Sequence, residues 1–354
     1  MDKALAGLKV VDFGWNITAP LVARCLADFG ATVVKVESAK RPDSLRSIMP
    51  YSKGVPGVER GLLYLSYSCG KYGMGLDLSQ PRGIEVATRL VAWADILVEN
   101  FMPGTMEKLG LGYGELKKSN PGLIMVMASL QGNDGPHAQV GSLGIMMHAV
   151  TGLVFPMGEP DEPPTPIPSA TTDFISPFYC LAAVFAALES RRKTGEGRLI
   201  DLSQYEAGVT FIAPAILDYV ANGRSQPRAG NASPHAAPHN AYRCRGDDRW
   251  CAIAAASQAE WESFCKVVNG PAWTGDARFS TLAGRKENEV EMDRLVDAWT
   301  VDHTAEEAVD RMQAAGVAAG VVENGRDFFA DPQLEHRRHF RVVEHAEVGK
   351  FANE

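Results

Sequence analysis

The sequence predicts an α/β protein: a large domain built on a parallel sheet, with a smaller α/β domain after it. Three observations carry this. Residues 8–13 and 31–37 are short apolar runs joined through a helical stretch, and a strand–helix–strand unit of this kind implies parallel strands. Further apolar runs at 95–99 and 123–129 each follow a helical pattern. The composition, 45% hydrophobic and 22% charged over 354 residues, suits a large core and two domains.

Residues 8–13 read as the first strand and 14–20 as the loop after it, bearing Trp15, Asn16, Ile17 and Thr18. Residues 21–29 are helical and close at Gly30; residues 31–37 are the second strand. The loop lacks G-x-G-x-x-G, so its backbone is not shaped to approach a pyrophosphate closely, which argues against an NAD enzyme. Residues 38–60, with Arg41 and Arg46, form a polar surface excursion. Residues 64–68 and 74–78 flank a tight turn at 69–73 that presents Lys71. A helix over 81–94 leads to the strand 95–99, which ends at Asn100, Phe101 and Met102. Thr105 caps a short helix carrying Glu107 and Lys108. The strand ends thus deliver Asn16, Lys71 and Asn100, where open α/β sheets bind ligands.

Residues 130–170 hold Gly and Pro loops around a short helix over 143–153. A long apolar helix then begins. Leu181, Val184, Phe185 and Leu188 recur at helical spacing, Arg191, Arg192 and Lys193 crowd the last turn, and Gly195 supplies the exit. Thr171 or Thr172 can cap it, placing Asp173 in or beside the first turn, among unpaired N–H groups at the positive helix end. By default an Asp there is merely a cap. Residues 198–202 are a strand, and Ser203 with Glu206 make a capping box for a helix that Pro214 kinks and Gly223 stops.

The first domain therefore spans 1–223, and the Pro-, Gly- and Ser-rich stretch 224–240 is a linker. The small domain, 241–322, holds strands at 250–255 and 317–322 and helices at 261–267, 287–299 and 304–314, the last with a Thr304/Glu307 capping box. Residues 323–354 return to the large domain, and the chain leaves an extended element at Glu354, which predicts a C-terminal truncation.

A net charge of -8 argues against a general nucleic-acid binder. Residues 1–7 lack a signal-peptide core, and the apolar run 178–188 is too short to cross a bilayer, so a cytoplasmic protein without a membrane partner is expected. Six cysteines are scattered without a C-x-x-C pair, and no His/Cys cluster has metal-ligand spacing; no metal site is expected. The default reading of Lys71 is a solvated charge, and of Asn100 a turn former. His148, on an apolar helix, reads as a satisfied core residue, while His235 and His239 read as solvated linker residues.

Residues 8–13, Ala27-Asp28-Phe29-Gly30-Ala31, Lys35-Val36-Glu37, Glu99-Asn100-Phe101, Lys108-Leu109-Gly110, Arg192-Lys193-Thr194-Gly195 and Asp201-Leu202-Ser203-Gln204-Tyr205-Glu206 together resemble the family III CoA-transferases, the CaiB/BaiF family. The likeness covers nearly the whole chain. It implies a Rossmann-like large domain made from both chain ends, a small domain between them, and two chains threaded as an interlocked dimer. It also implies transfer of CoA from an acyl-CoA donor, with succinyl-CoA a candidate, to a carboxylic acid. The CoA thioester is then a substrate, and no permanently bound cofactor is implied.

The family's nucleophile falls on Asp173. Its CoA contacts fall on Ile17, Thr18, Lys71, Asn100, Phe101, Met102 and Lys108. Ser38 stands where a basic residue is often found, which shifts phosphate binding to Lys40, Arg41 or Arg46. The Gly-rich shielding loop of some members is at best shortened to Arg228-Ala229-Gly230-Asn231. An ionised Asp needs no base to attack a thioester, and N–H groups at the helix start are expected to stabilise the oxyanions. Trp15, Met146, Met147 and Phe178 suggest an apolar acyl pocket. Two alternatives remain. An α-methylacyl-CoA racemase shares the fold, but Leu143 stands where its proton-abstracting His is aligned. The other is a non-catalytic subunit of a heteromer, against which the presence of Asp173 argues.

Overall fold

The computed structural model describes residues 3–269 and 272–353. Met1, Asp2, Gly270, Pro271 and the terminal Glu354 lie outside the described residues. Two units are present. The first comprises the chain up to Met157, Pro164–Pro227 and Val342–Asn353; the second comprises Gly158–Pro163 and Arg228–Arg341.

In the first unit, β1 (Lys9–Asp12), α1 (Thr18–Asp28) and β2 (Thr32–Glu37) form the expected strand–helix–strand unit. Then come α2 (Leu62–Tyr67), β3 (Tyr72–Gly75), α3 (Pro81–Trp93), β4 (Ile96–Glu99), α4 (Thr105–Lys108), α5 (Tyr113–Ser119) and β5 (Ile124–Ser129). After α6 (Gly144–Val150) and α7 (Thr171–Thr194) the chain makes β6 (Leu199–Ser203), α8 (Gln204–Phe211) and α9 (Ala213–Asn222). Six strands pair in the order β3-β2-β1-β4-β5-β6, all parallel, with Val10 opposite Val33 on one side and Ile96 on the other.

Successive strand residues point to opposite faces. Val10, Val33, Ile96, Val98, Ile124 and Val126 pack under α1 and α7, whereas Val11, Leu97, Met125 and Met127 pack under α3 and α5. Most of these are fully buried, each worth about 1.5–3 kcal/mol by removal from water. At 24 residues, α7 is the one described helix long and apolar enough to cross a membrane; here Cys180, Leu181 and Val184 lie in the sheet's core. It ends on left-handed Gly195, φ 75°, as expected. The helix predicted through Pro214 is two helices, because the chain breaks at Ile212 and Pro214 opens the second. Residues 62–67, before Lys71, are helical, and the strand after the turn begins at Tyr72.

The second unit holds β7 (His239–Arg243), β8 (Trp250–Ala254), α10 (Gln258–Val267), α11 (Leu282–Glu287), α12 (Glu289–Thr300), α13 (Ala305–Ala314), β9 (Ala318–Val321), α14 (Gly325–Ala330) and α15 (Pro332–Arg337). Its three strands pair antiparallel in the order β7-β8-β9 over a core containing Tyr242, Trp261, Phe264, Phe279 and Met292. The Thr304/Glu307 capping box of α13 is complete. From Arg228 onward the stretch read as a linker clusters with this unit. The returning segment splits: α14 and α15 lie in the second unit, while Val342–Asn353, most of the hairpin β10 (Arg341–His345) and β11 (Gly349–Asn353), lies in the first. There Asn353 Oδ1 accepts from Ser66 Oγ at 3.0 Å.

Candidate active site

The strand order reverses between β1 and β4, and the crevice beyond their carboxyl ends is where such sheets bind ligands. Two loops meet there. Asn100, just past β4, accepts from Trp15 N–H and donates to the Trp15 carbonyl, both at 2.8 Å, tying its loop to the loop after β1. Asn16 takes a left-handed conformation, φ 59°, in that tie. A cavity of about 320 Å³ opens beside them, lined by Asn16, Ile17, Asn100, Phe101, Met102 and Leu143 among others, and Asp173 reaches it.

Asp173 lies in the first turn of α7 and is only 8% exposed. The helix is not capped by Thr171 or Thr172, as the sequence suggested. Thr171 N–H donates to His148 Nε2 at 2.7 Å, and Asp173 N–H to the Ala170 carbonyl at 2.9 Å. These N–H groups are therefore engaged and do not face a substrate. Instead Asp173 Oδ1 accepts from Thr18 Oγ1 at 2.6 Å and from Gln204 Nε2 at 3.1 Å. Oδ2 has no hydrogen-bond partner among the described residues. It lies against Gly144, where a Cβ would stand 1.7 Å from it, so only glycine leaves it room. Burial raises the Asp173 pKa, and the bonds from Thr18 and Gln204, together with the charge interaction with His148, only partly offset this.

A second cavity of about 430 Å³ is lined by Trp15, Lys40, Arg41, Asp77 and Leu109, and shares Phe101 and Met102 with the first. Arg41 lies over the Trp15 ring, and Lys40 pairs with Asp77 at 2.7 Å. Glu99 is buried nearby with one oxygen accepting from Phe101 N–H at 2.7 Å; burial pushes its carboxyl up to about 7.

The candidate residues thus separate. Ile17, Asn100, Phe101 and Met102 line the Asp173 cavity, and Thr18 holds Asp173 itself. Lys71 is elsewhere, buried rather than solvated: its Nζ lies 2.8 Å from Asp12 Oδ2 and donates to the Pro20 carbonyl at 2.7 Å. Arg46 is engaged by Glu37 and Glu59 and lies over Tyr64. Lys108 is exposed on α4 and lines neither cavity. Of the suggested acyl-pocket residues none lines the Asp173 cavity: Trp15 lies in the second, Met147 is buried in the core, and Met146 and Phe178 are exposed. Leu143 does line it, while buried His148 does not. Among the described residues no group of three or more His, Cys, Asp or Glu is placed to hold a metal.

Sequence reasoning missed Gln204 and Gly144. Gln204 follows the capping Ser203, whose Oγ accepts from Glu206 N–H, and so opens α8.

A family model described as CoA-transferase family III matches residues 5–353. A succinyl-CoA–D-citramalate CoA-transferase of Chloroflexus aurantiacus is 32% identical over 350 residues, covering 99% of this chain and 86% of that protein. The human succinyl-CoA:glutarate CoA-transferase is 26% identical over 99% of this chain and 78% of its own length. A crystal structure of a CaiB/BaiF family protein from Brucella suis superposes with a TM-score of 0.90 at 28% identity, covering 100% of this chain and 96% of that one.

Proposed function

The chain belongs to CoA-transferase family III, and we propose that it moves CoA from an acyl-CoA donor to a free carboxylic acid through a covalent intermediate on Asp173. The observation that carries this is a buried carboxylate with one oxygen held by neutral donors and the other free beside a cavity. Asp173 Oδ2 attacks the donor thioester carbon; the C–S bond breaks and CoA leaves as thiolate, giving a mixed anhydride. The thiolate attacks Cγ of Asp173, forming an aspartyl thioester and releasing the donor acid with the bridging oxygen. The acceptor carboxylate then attacks Cγ and the Cγ–S bond breaks. The thiolate attacks the acceptor's acyl carbon, whose bond to the bridging oxygen breaks, so the new acyl-CoA leaves and Asp173 keeps that oxygen. Low water access protects both acyl intermediates from hydrolysis. Succinyl-CoA is the first donor to try, since it is named for both relatives above.

The second cavity, with Lys40 and Arg41 at its rim, suits the nucleotide end of CoA, and the shared Phe101 and Met102 suit the arm between the two. The racemase alternative lacks a second proton-transfer group: Leu143 lines the cavity where one is needed, and His148 does not reach it. We further propose a homodimer, with an unlike partner subunit as the alternative.

The test is to incubate the purified protein with succinyl-CoA and a panel of carboxylic acids and follow new CoA esters by mass spectrometry. A new thioester matched by released succinate is expected. No transfer to any acid, with deuterium uptake at the α-carbon of an acyl-CoA instead, overturns the proposal in favour of racemisation.

A further inference from the structure

We propose that Thr18 and Gln204 are the oxyanion donors of the acyl-aspartate steps, fixing Asp173 Oδ1 so that Oδ2 alone makes and breaks bonds to substrates. This rests on the covalent role of Asp173 proposed above.

The hydrogen-bond directions are set by a chain of partners. The Thr172 hydroxyl lies 3.3 Å from both the Gly144 carbonyl and Gln204 Oε1. The other end of the Gln204 amide faces Asp173 Oδ1, a carboxylate oxygen that only accepts, which assigns that end as the nitrogen. The nitrogen end then donates to Thr18 Oγ1 at 2.7 Å and to Asp173 Oδ1 at 3.1 Å. Since Thr18 Oγ1 receives that N–H, its own hydrogen goes to Oδ1, at 2.6 Å. Thr18, Thr172, Asp173 and Gln204 are all buried, so the chain is shielded from water and held by three separate elements, α1, α7 and α8.

Both donors are neutral, so the same two bonds fit Oδ1 as a carboxylate oxygen, as a carbonyl oxygen of the anhydride or thioester, and as an oxyanion. When a thiolate or carboxylate attacks Cγ, the electron pair of the Cγ–Oδ1 double bond moves onto Oδ1. The two donors already point at that atom, and preorganised donors of this kind lower the barrier most where charge develops. The N–H groups of Thr171 and Asp173 cannot serve, because His148 and Ala170 take them. Oδ2 is the oxygen left for bond making, and the missing side chain at Gly144 gives it space.

The oxygen accounting provides a test. Each turnover expels Oδ2 with the donor acid and replaces it with an oxygen from the acceptor acid, whereas Oδ1 stays. Many turnovers with an acceptor acid carrying two heavy oxygens should therefore leave one heavy oxygen, not two, on the Asp173 peptide in its mass spectrum. Thr18→Val and Gln204→Met, which keep shape and remove donors, should each lower kcat about 100-fold with little change in KM. Thr18→Ser should restore most of the rate. Thr18→Val should also let a second heavy oxygen accumulate as the carboxylate turns over. Two heavy oxygens on the native enzyme, or native rates in both donor-free variants, overturn the inference while leaving covalent Asp173 intact. An actively transferring enzyme with no label on Asp173 overturns both.

Discussion

Asp12 and Asp173 are both buried carboxylates of the first unit, and they are held in opposite ways. Asp12, at the end of β1, pairs with Lys71 at 2.8 Å and accepts from Gly14 N–H at 2.8 Å. Burial pushes its pKa up, but Lys71 and then Lys35 more than reverse this, and the carboxyl ends below its ordinary value. Lys35 completes the cluster, donating to the Gly14 carbonyl at 2.6 Å and pairing with Asp43 at 3.2 Å. The charges there are paired, and the cluster shapes the loop at Gly14. Asp173 has only neutral donors, its pKa is raised, and one oxygen is unclaimed. The first carboxylate is neutralised within the fold; the second keeps one oxygen unclaimed.

The largest expected effect separates the two roles. Asp173→Asn should abolish CoA transfer, while its melting temperature at pH 8 equals or exceeds the native value. The sign follows from the raised pKa: the folded state loses stability as pH rises from the ordinary Asp range through the raised value, and Asn escapes that loss. A marked destabilisation would break the contrast. For the same reason the acid limb of the kcat/KM profile against pH, which reports the free enzyme, should lie above the ordinary carboxylate range.

Next, Lys71→Met should cost about 3–5 kcal/mol, because it leaves Asp12 buried with its nearest charge gone. Denaturant midpoints measure this, and a loss below about 1 kcal/mol would mean the pair contributes no more than a surface ion pair. The smallest effect concerns Glu99, whose carboxyl sits near 7 without a cation. Glu99→Gln should gain about 3 kcal/mol at pH 8, since the native group is destabilising once ionised. The gain should fade between about pH 7 and the ordinary 4.5, and calorimetry across that range checks it.

The sheet was legible because hydrophobic runs such as 95–99 and 123–129 are local signals. Asp173 was legible as an acidic residue opening a long helix, by default a cap; the family resemblance alone marked it out. Its partners were not. Thr18 lies 155 residues away and was assigned to the ligand, and Gln204 belongs to a capping segment that explains itself without a site. Gly144 acts through an absent side chain, which sequence shows only as one glycine among 34. Lys71 failed for a related reason: burial depends on Asp12 and Pro20, which the turn sequence does not reveal.

Asp173 is the only charged side chain lining its cavity among the described residues. On the proposed chemistry the pocket is negative at rest and uncharged as the aspartyl thioester, the state the acceptor meets. A free acid arrives as an anion, and two like charges about 4 Å apart at a partly screened site repel by about 4 kcal/mol. The resting pocket therefore turns acids away, and the acylated pocket lets them in. Sequential admission, with double-displacement kinetics and no moving lid, would follow from a single alternating charge.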